Sequence, residues 1–161
     1  MKTSRMVPIA VVAIASLSVL FAAVVSARSK PTSPEAELRP LIDQLEVFAN
    51  AHDVDKFMAF YARDPNLIAA FNGTEIRGFE ELCRQQAKWW NEGKTDVVYT
   101  RRAEPQFTPL AGGGEVVTLF EQSRRTLADG TIANNVAAIS LVWEKLPEGW
   151  RIVYSHESTE H

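Results

Sequence analysis

Apolar positions along the chain recur first at helical and then at strand spacing. Leu38, Leu41, Ile42, Leu45, Phe48 and Ala49 lie three and four apart, which predicts a helix with one apolar stripe. Ser33 is placed to cap it, Pro34 to open it, and Glu35 and Glu37 to favour the positive end of its dipole. Pro40 would break a helix interior, so it is expected within the first turn. Residues 50–53 interrupt the pattern. Asp53 can cap a short second helix with Phe57, Met58 and Tyr61 on a common face, and Asp64-Pro65 ends it. Residues 66–71 read as a short strand, Asn72-Gly73 as a hairpin turn, and residues 74–77 as the return strand. Gly78 opens a third helix over residues 79–91. Phe79, Leu82, Cys83, Gln86 and one of Trp89 and Trp90 should face inward, and Gly93 is its stop.

After Gly93 the period falls to two, the mark of a sheet. Residues 95–108 read as one long strand, bulged near Pro105. Gly112-Gly113-Gly114, Asp129-Gly130 and Pro147-Glu148-Gly149 then separate three more strands, at residues 115–127, 131–146 and 150–157. The last strand alternates, which places Trp150, Ile152, Tyr154, His156 and Ser158 on one face, bulky at its start and polar at its end. The tail from 159 to 161 is expected to be loose. A bulge within residues 131–146 would exchange Ala138 and Ser140 for Ile139 and Leu141 on the inner face. The order is that of an α+β domain, helices first and an antiparallel sheet after.

The N-terminus changes the composition. Lys2 and Arg5 precede an uncharged run from 7 to 25, and Val25-Ser26-Ala27 offers small residues for a signal peptidase. The expected organisation is a leader at 1–27, a linker at 28–34, one domain at 35–158 and a tail. This implies a periplasmic or secreted product. The alternative is an uncleaved anchor, since residues 7–25 approach the roughly 20 needed to span a bilayer. Loss of Lys2 and Arg5 with the leader takes the formal charge from −3 to −5. Such an acidic product is a poor partner for nucleic acid, whose binding rests on basic side chains. The lone Cys83 excludes an intrachain disulfide and reads as buried and inert.

The element order, together with Gly149-Trp150-Arg151-Ile152-Val153 followed by His156 and Ser158, resembles the SnoaL-like and ketosteroid-isomerase-like branch of the nuclear transport factor 2 superfamily. Ile76-Arg77-Gly78 before the third helix, and Ser140, Val142 and Trp143 in the penultimate strand, carry the same resemblance. It implies a cone-shaped fold, a curved sheet around the first helix, a pocket at the open end and a homodimer formed through the sheet. Many relatives carry an arginine where this chain has Ala138, which weighs against a gripped anion. Relatives include isomerases, cyclases, dehydratases, ligand binders and association domains, so the resemblance fixes no reaction.

His156 is the leading candidate for a general base or a donor to a ligand, with Ser158 sharing its face. Alternatively, Ser158 and a backbone carbonyl satisfy His156 and the imidazole only stiffens the pocket. An isomerase-like mechanism would need a carboxylate and a donor, for which Asp64 or Glu121 and Tyr61 are available. Each of these is more simply a turn, a surface charge or a core aromatic. Tyr61, Phe71, Trp89, Trp90, Trp143 and Tyr154 form an aromatic set suited to a small, mostly apolar molecule, although most would serve equally as core. One of Asn134 and Asn135 should point inward, with Asn134 taken as the ligand contact. The expected ligand set is therefore Tyr61, Phe71, Trp89, Trp90, Asn134, Ser140, Tyr154, His156 and Ser158. No Gly-rich phosphate loop, hydrolase elbow or usual metal spacing occurs, so neither cofactor nor metal is expected.

Overall fold

The computed structural model describes residues 32–160. The expected leader, its cleavage point and most of the linker lie outside the described residues. Helix α1 runs Pro34–Asn50, α2 Val54–Met58 and α3 Phe79–Trp89. Strands β1 Ile68–Phe71 and β2 Thr74–Arg77 form the hairpin between α2 and α3. Strands β3 Val98–Arg101, β4 Gln106–Pro109, β5 Glu115–Thr126, β6 Ile132–Leu146 and β7 Gly149–Thr159 follow.

The helix starts follow local chemistry. The Ser33 side chain accepts from the Ala36 amide and that of Asp53 from the Lys56 amide, each satisfying a donor the helix leaves open. Pro40 is not in the first turn. It lies further inside α1, on the exposed face, where buried Leu38, Ile42 and Leu45 hold the helix against the sheet across the lost hydrogen bond. Gly78, at φ +88°, precedes α3, and a Cβ there would stand 3.1 Å from the Pro65 carbonyl oxygen.

The sheet has the order β2-β1-β7-β6-β5-β3, with β4 also paired to β5. All pairs are antiparallel except β1 with β7, which is parallel. The expected strand over 95–108 is two strands on the same partner. After the Arg102 amide donates to the Phe120 carbonyl at 2.8 Å, residues 103–105 leave the ladder, because Pro105 offers no N–H and a bend carries the chain past it. The expected loose tail also begins later. Thr159 stays in β7, held by its amide donating to Asn72 Oδ1 at 2.9 Å and by Asn72 Nδ2 donating to its hydroxyl at 2.8 Å.

Helix α1 lies against a curved, unclosed sheet. Its apolar stripe meets Val117, Leu119, Leu141, Trp143 and Ile152, all buried on the inner face. Burying each such side chain contributes roughly 1.5–3 kcal/mol. The C-terminal end of α1 also closes the free edge of β3. Asn50 donates from Nδ2 to the Tyr99 carbonyl at 3.0 Å and accepts the Tyr99 amide at 2.8 Å, reproducing the two bonds of a neighbouring strand. His52 donates from Nε2 to the Val97 carbonyl at 2.7 Å.

The decisive irregularity lies in β7. Ile152 pairs with Trp143 but Tyr154 pairs with Val142, so Val153 is an extra residue without an opposite. The side-chain phase inverts at that point. Trp150 and Ile152 point into the core before it, and Ser155, Glu157 and Thr159 point inward after it.

Candidate functional site

The open end of the cone holds a cavity of about 470 Å³ between α1, α3 and the inner face of the sheet. Each wall follows from strand phase. On β5, Leu119, Glu121, Ser123 and Arg125 alternate inward. On β6 the inward set is Asn135, Ala137, Ile139 and Leu141. On β7 it is Glu157 and Thr159, and on β3 it is Tyr99 and Arg101. Ile42, Leu45, Glu46 and Ala49 of α1 cover one side, with Gln86, Trp89 and Trp90 from the end of α3.

The aromatic walls are ordered. Trp90 is buried, stands edge-on to Phe57 at 5.0 Å and donates from Nε1 to the Tyr99 hydroxyl at 3.0 Å. Trp89 is more exposed and lies 5.0 Å from Phe71. The two tryptophans thus divide as adjacent helical residues must, one sealing the core and one at the rim, and both line the cavity.

Two carboxyls face this space from the sheet, besides Glu46 on α1. Glu121 is opposite Arg101 across β5 and β3, and Glu157 is opposite Phe71 across β7 and β1. Burial pushes Glu121 up to about 7, with help from the charges of Glu157 and Glu46, while Arg101 acts the other way. Burial alone pushes Glu157 up to about 7. Arg101 is itself engaged, donating to Asp43 at 2.7 Å and to Glu46. Near neutral pH the carboxyls therefore sit between forms, able to donate as acids or accept as bases. Burial also raises the Tyr99 phenol, opposed by its bond from Trp90.

The expected ligand set divides accordingly. Phe71, Trp89 and Trp90 line the cavity. Tyr61 is buried beside Ile152 and Ser155, behind the lining, where burial raises its phenol strongly. Tyr154, His156 and Ser158 do not share the face of Ile152. The extra Val153 turns them to the outer surface of the sheet, where they pair with Val142, Ser140 and Ala138. Ser140 and Ala138 face outward with them, and Ile139 and Leu141 are the inner residues. The irregularity responsible belongs to β7 and not to β6. Since Ala138 is outside, its lack of an arginine has no bearing on the cavity. Asn135, not Asn134, lines it, and Asn134 Oδ1 faces Gln122 on the outer side. Asp64 serves the turn after α2, its carboxylate accepting the Asn66 amide at 2.7 Å. Glu121 was readable from its phase with Val117 and Leu119. Glu157, Tyr99 and Arg101 were missed. The run Ile152-Val153-Tyr154, three apolar residues in sequence, was the one sign that the alternation breaks.

Cys83 is half-buried on α3, not fully buried as expected, and burial raises its thiol. Among the described residues no group of three His, Cys, Asp or Glu side chains is placed to hold a metal ion. Among them, too, no helix is long and apolar enough to cross a membrane.

A family model for the SnoaL-like domain matches residues 38–160. Among solved structures, the chain is similar to a nuclear transport factor 2-like superfamily protein from Salmonella enterica serovar Typhimurium. Identity is 21%, over 78% of this chain and 89% of that one, with a TM-score of 0.67. It is also similar to the CaMKII hub of S. rosetta, at 20% identity over 81% and 100% of the two chains, TM-score 0.63. Aln2 from a Streptomyces species is similar at 13% identity over 80% and 94%, TM-score 0.64. At these identities the likeness is one of fold. No curated protein matches the chain by sequence.

Proposed function

We propose, for a chain that belongs to the SnoaL-like domain family, that its cone cavity binds a small molecule with a mostly apolar body and one polar end. The observation that carries this reading is the pairing of aromatic walls with two inward carboxyls in a cavity of about 470 Å³, a size usual for small-molecule sites. The apolar body would lie along Trp89, Trp90 and Phe57, and the polar end would meet Glu121 or Glu157. Native mass spectrometry of protein purified from its host's envelope fraction tests this. A retained small molecule supports the reading. A ligand-free protein that also binds nothing from an extract of the same host refutes it.

A second reading is favoured by one specific feature. Carboxyls pushed up to about 7 are suited to moving protons near neutral pH. On that reading the domain is an isomerase-, dehydratase- or cyclase-type enzyme using Glu157 or Glu121, and His156 has no part in the chemistry. Turnover of an identified substrate should then be lost in Glu157→Gln or Glu121→Gln. Full turnover in both variants excludes it.

We further propose a homodimer formed through the outer face of the sheet. This face carries Phe120 and Ile132, 36% and 44% exposed, together with Val136, Val142 and Tyr154. A similar solved structure is named a hub, which agrees with assembly through this fold. Sedimentation of the wild type and of Phe120→Lys tests it, and a monomer in both refutes it. Export follows as a proposal from the N-terminal pattern alone, and a mature chain beginning near Arg28 is its test.

A further inference from the structure

Glu157 is a half-buried acid at the cavity that none of the described cations pairs with. Arg101 is held by Asp43 and Glu46, and it faces Glu121 across the β3–β5 pair. Arg125 lines the cavity from the exposed end of β5. Neither lies beside Glu157, and none of the described residues gives its carboxylate a hydrogen bond or a neighbouring cation. Its cross-strand neighbours are apolar, Ile139 on one side and Phe71 on the other. Phe71 is its direct partner across the β1–β7 pair, and the Trp89 ring lies 5.0 Å from Phe71. A carboxylate buried without a countercharge is costly, and the charged form becomes favourable when a ligand brings that charge. Aromatic faces attract the same cation.

We infer that the molecule held in this cavity is an organic amine, its protonated nitrogen on Glu157 and its apolar body along Phe71 and Trp89. The inference rests on the reading that the cavity takes a small molecule and names the chemical class of that molecule. A neutral ligand leaves the cost of ionising Glu157 in place. An anion would add a like charge to a wall that already carries Glu121 and Glu157. The amine removes that cost and also eases Glu121, whose carboxyl feels the Glu157 charge. Binding therefore strengthens as Glu157 ionises. The charged groups around it are Glu121 and Arg125 on β5, Arg101 on β3 and Glu46 on α1.

The test uses three probes of one shape on the purified protein: phenylbutylamine, phenylbutanol and phenylbutyrate, followed by tryptophan fluorescence and NMR shift perturbation. The amine should bind most tightly, by about tenfold or more over the alcohol, as expected for a charge pair formed out of water. Its affinity should rise about tenfold between about pH 6 and about pH 8, following ionisation of a carboxyl near 7. In Glu157→Gln the amine should lose about tenfold and the alcohol should change less than about twofold, which also shows that the variant is folded. Equal binding of amine and alcohol, or an equal loss of both in the variant, overturns the amine assignment and leaves the apolar cavity reading intact. Preference for phenylbutyrate overturns it in favour of an anion on Arg125. Binding of none of the three overturns the cavity reading as well.

Discussion

Replacing Glu157 by glutamine is expected to stabilise the fold at and above neutral pH. Burial moves this carboxyl from an ordinary 4.5 to about 7 in the folded chain. Between those values the folded state holds a proton that the unfolded state has released. The group's favourable contribution is complete below about 4.5 and is lost as pH rises through about 7. A tenfold displacement of a proton equilibrium is worth about 1.4 kcal/mol, so the ionised group costs up to about 3 kcal/mol at pH 8. Water admitted at the open mouth of the cavity takes back part of that. Glutamine keeps the shape and carries no charge. It also removes one of the charges that raise Glu121. The expected gain is therefore at least about 1 kcal/mol at pH 8, falling to about zero at pH 4 to 5. Urea unfolding of both proteins at several pH values, read by tryptophan fluorescence, measures it as a difference between two curves. The surface acids whose pKa is lowered, among them Asp53 and Asp96, are common to both proteins and cancel. Parallel stability curves, or a variant less stable at pH 8, would refute the claim that the half-buried Glu157 lacks a counterpart.

His156→Ala should leave probe affinity within about twofold, since the side chain is on the outer face of the sheet; a tenfold loss in the fluorescence titration would put the imidazole inside. Asn50→Ala should cost about 1–3 kcal/mol in urea unfolding, because it opens two backbone groups of Tyr99 to a partly buried edge. In the same variant the Tyr99 amide should lose protection in hydrogen exchange, and unchanged protection would show that α1 does not close this edge.

Helices, hairpin and turns were legible because each has a local cause. The Leu38–Ile42–Leu45 spacing, the capping side chains of Ser33 and Asp53, and the Asn72-Gly73 turn are each decided within a few residues. The parallel pairing of β1 with β7 was not legible, since it joins residues far apart and depends on how the sheet closes over α1. The site was half legible for a related reason. Trp89, Trp90 and Phe71 follow from element type, and Glu121 follows from unbroken alternation on β5. Everything beyond Val153 depends on where one unpaired residue is accommodated. That choice is made by the packing of Trp143 and Ile152 against the core, and not by any local preference.

Strand β7 thus behaves as though its side chains were read in a frame, with Val153 as the inserted letter. Upstream of it the frame is fixed by Trp150 and Ile152, buried in the core. Downstream, two alternative triplets lie interleaved: Ser155, Glu157 and Thr159 in one frame, Tyr154, His156 and Ser158 in the other. Loss or gain of a single residue at this point would exchange an acidic interior for an imidazole-bearing one while the scaffold stayed the same. A sheet built this way can change the chemistry of its hollow by indel rather than by substitution. Homologous cavities can then share a backbone and differ wholly in what they offer a ligand.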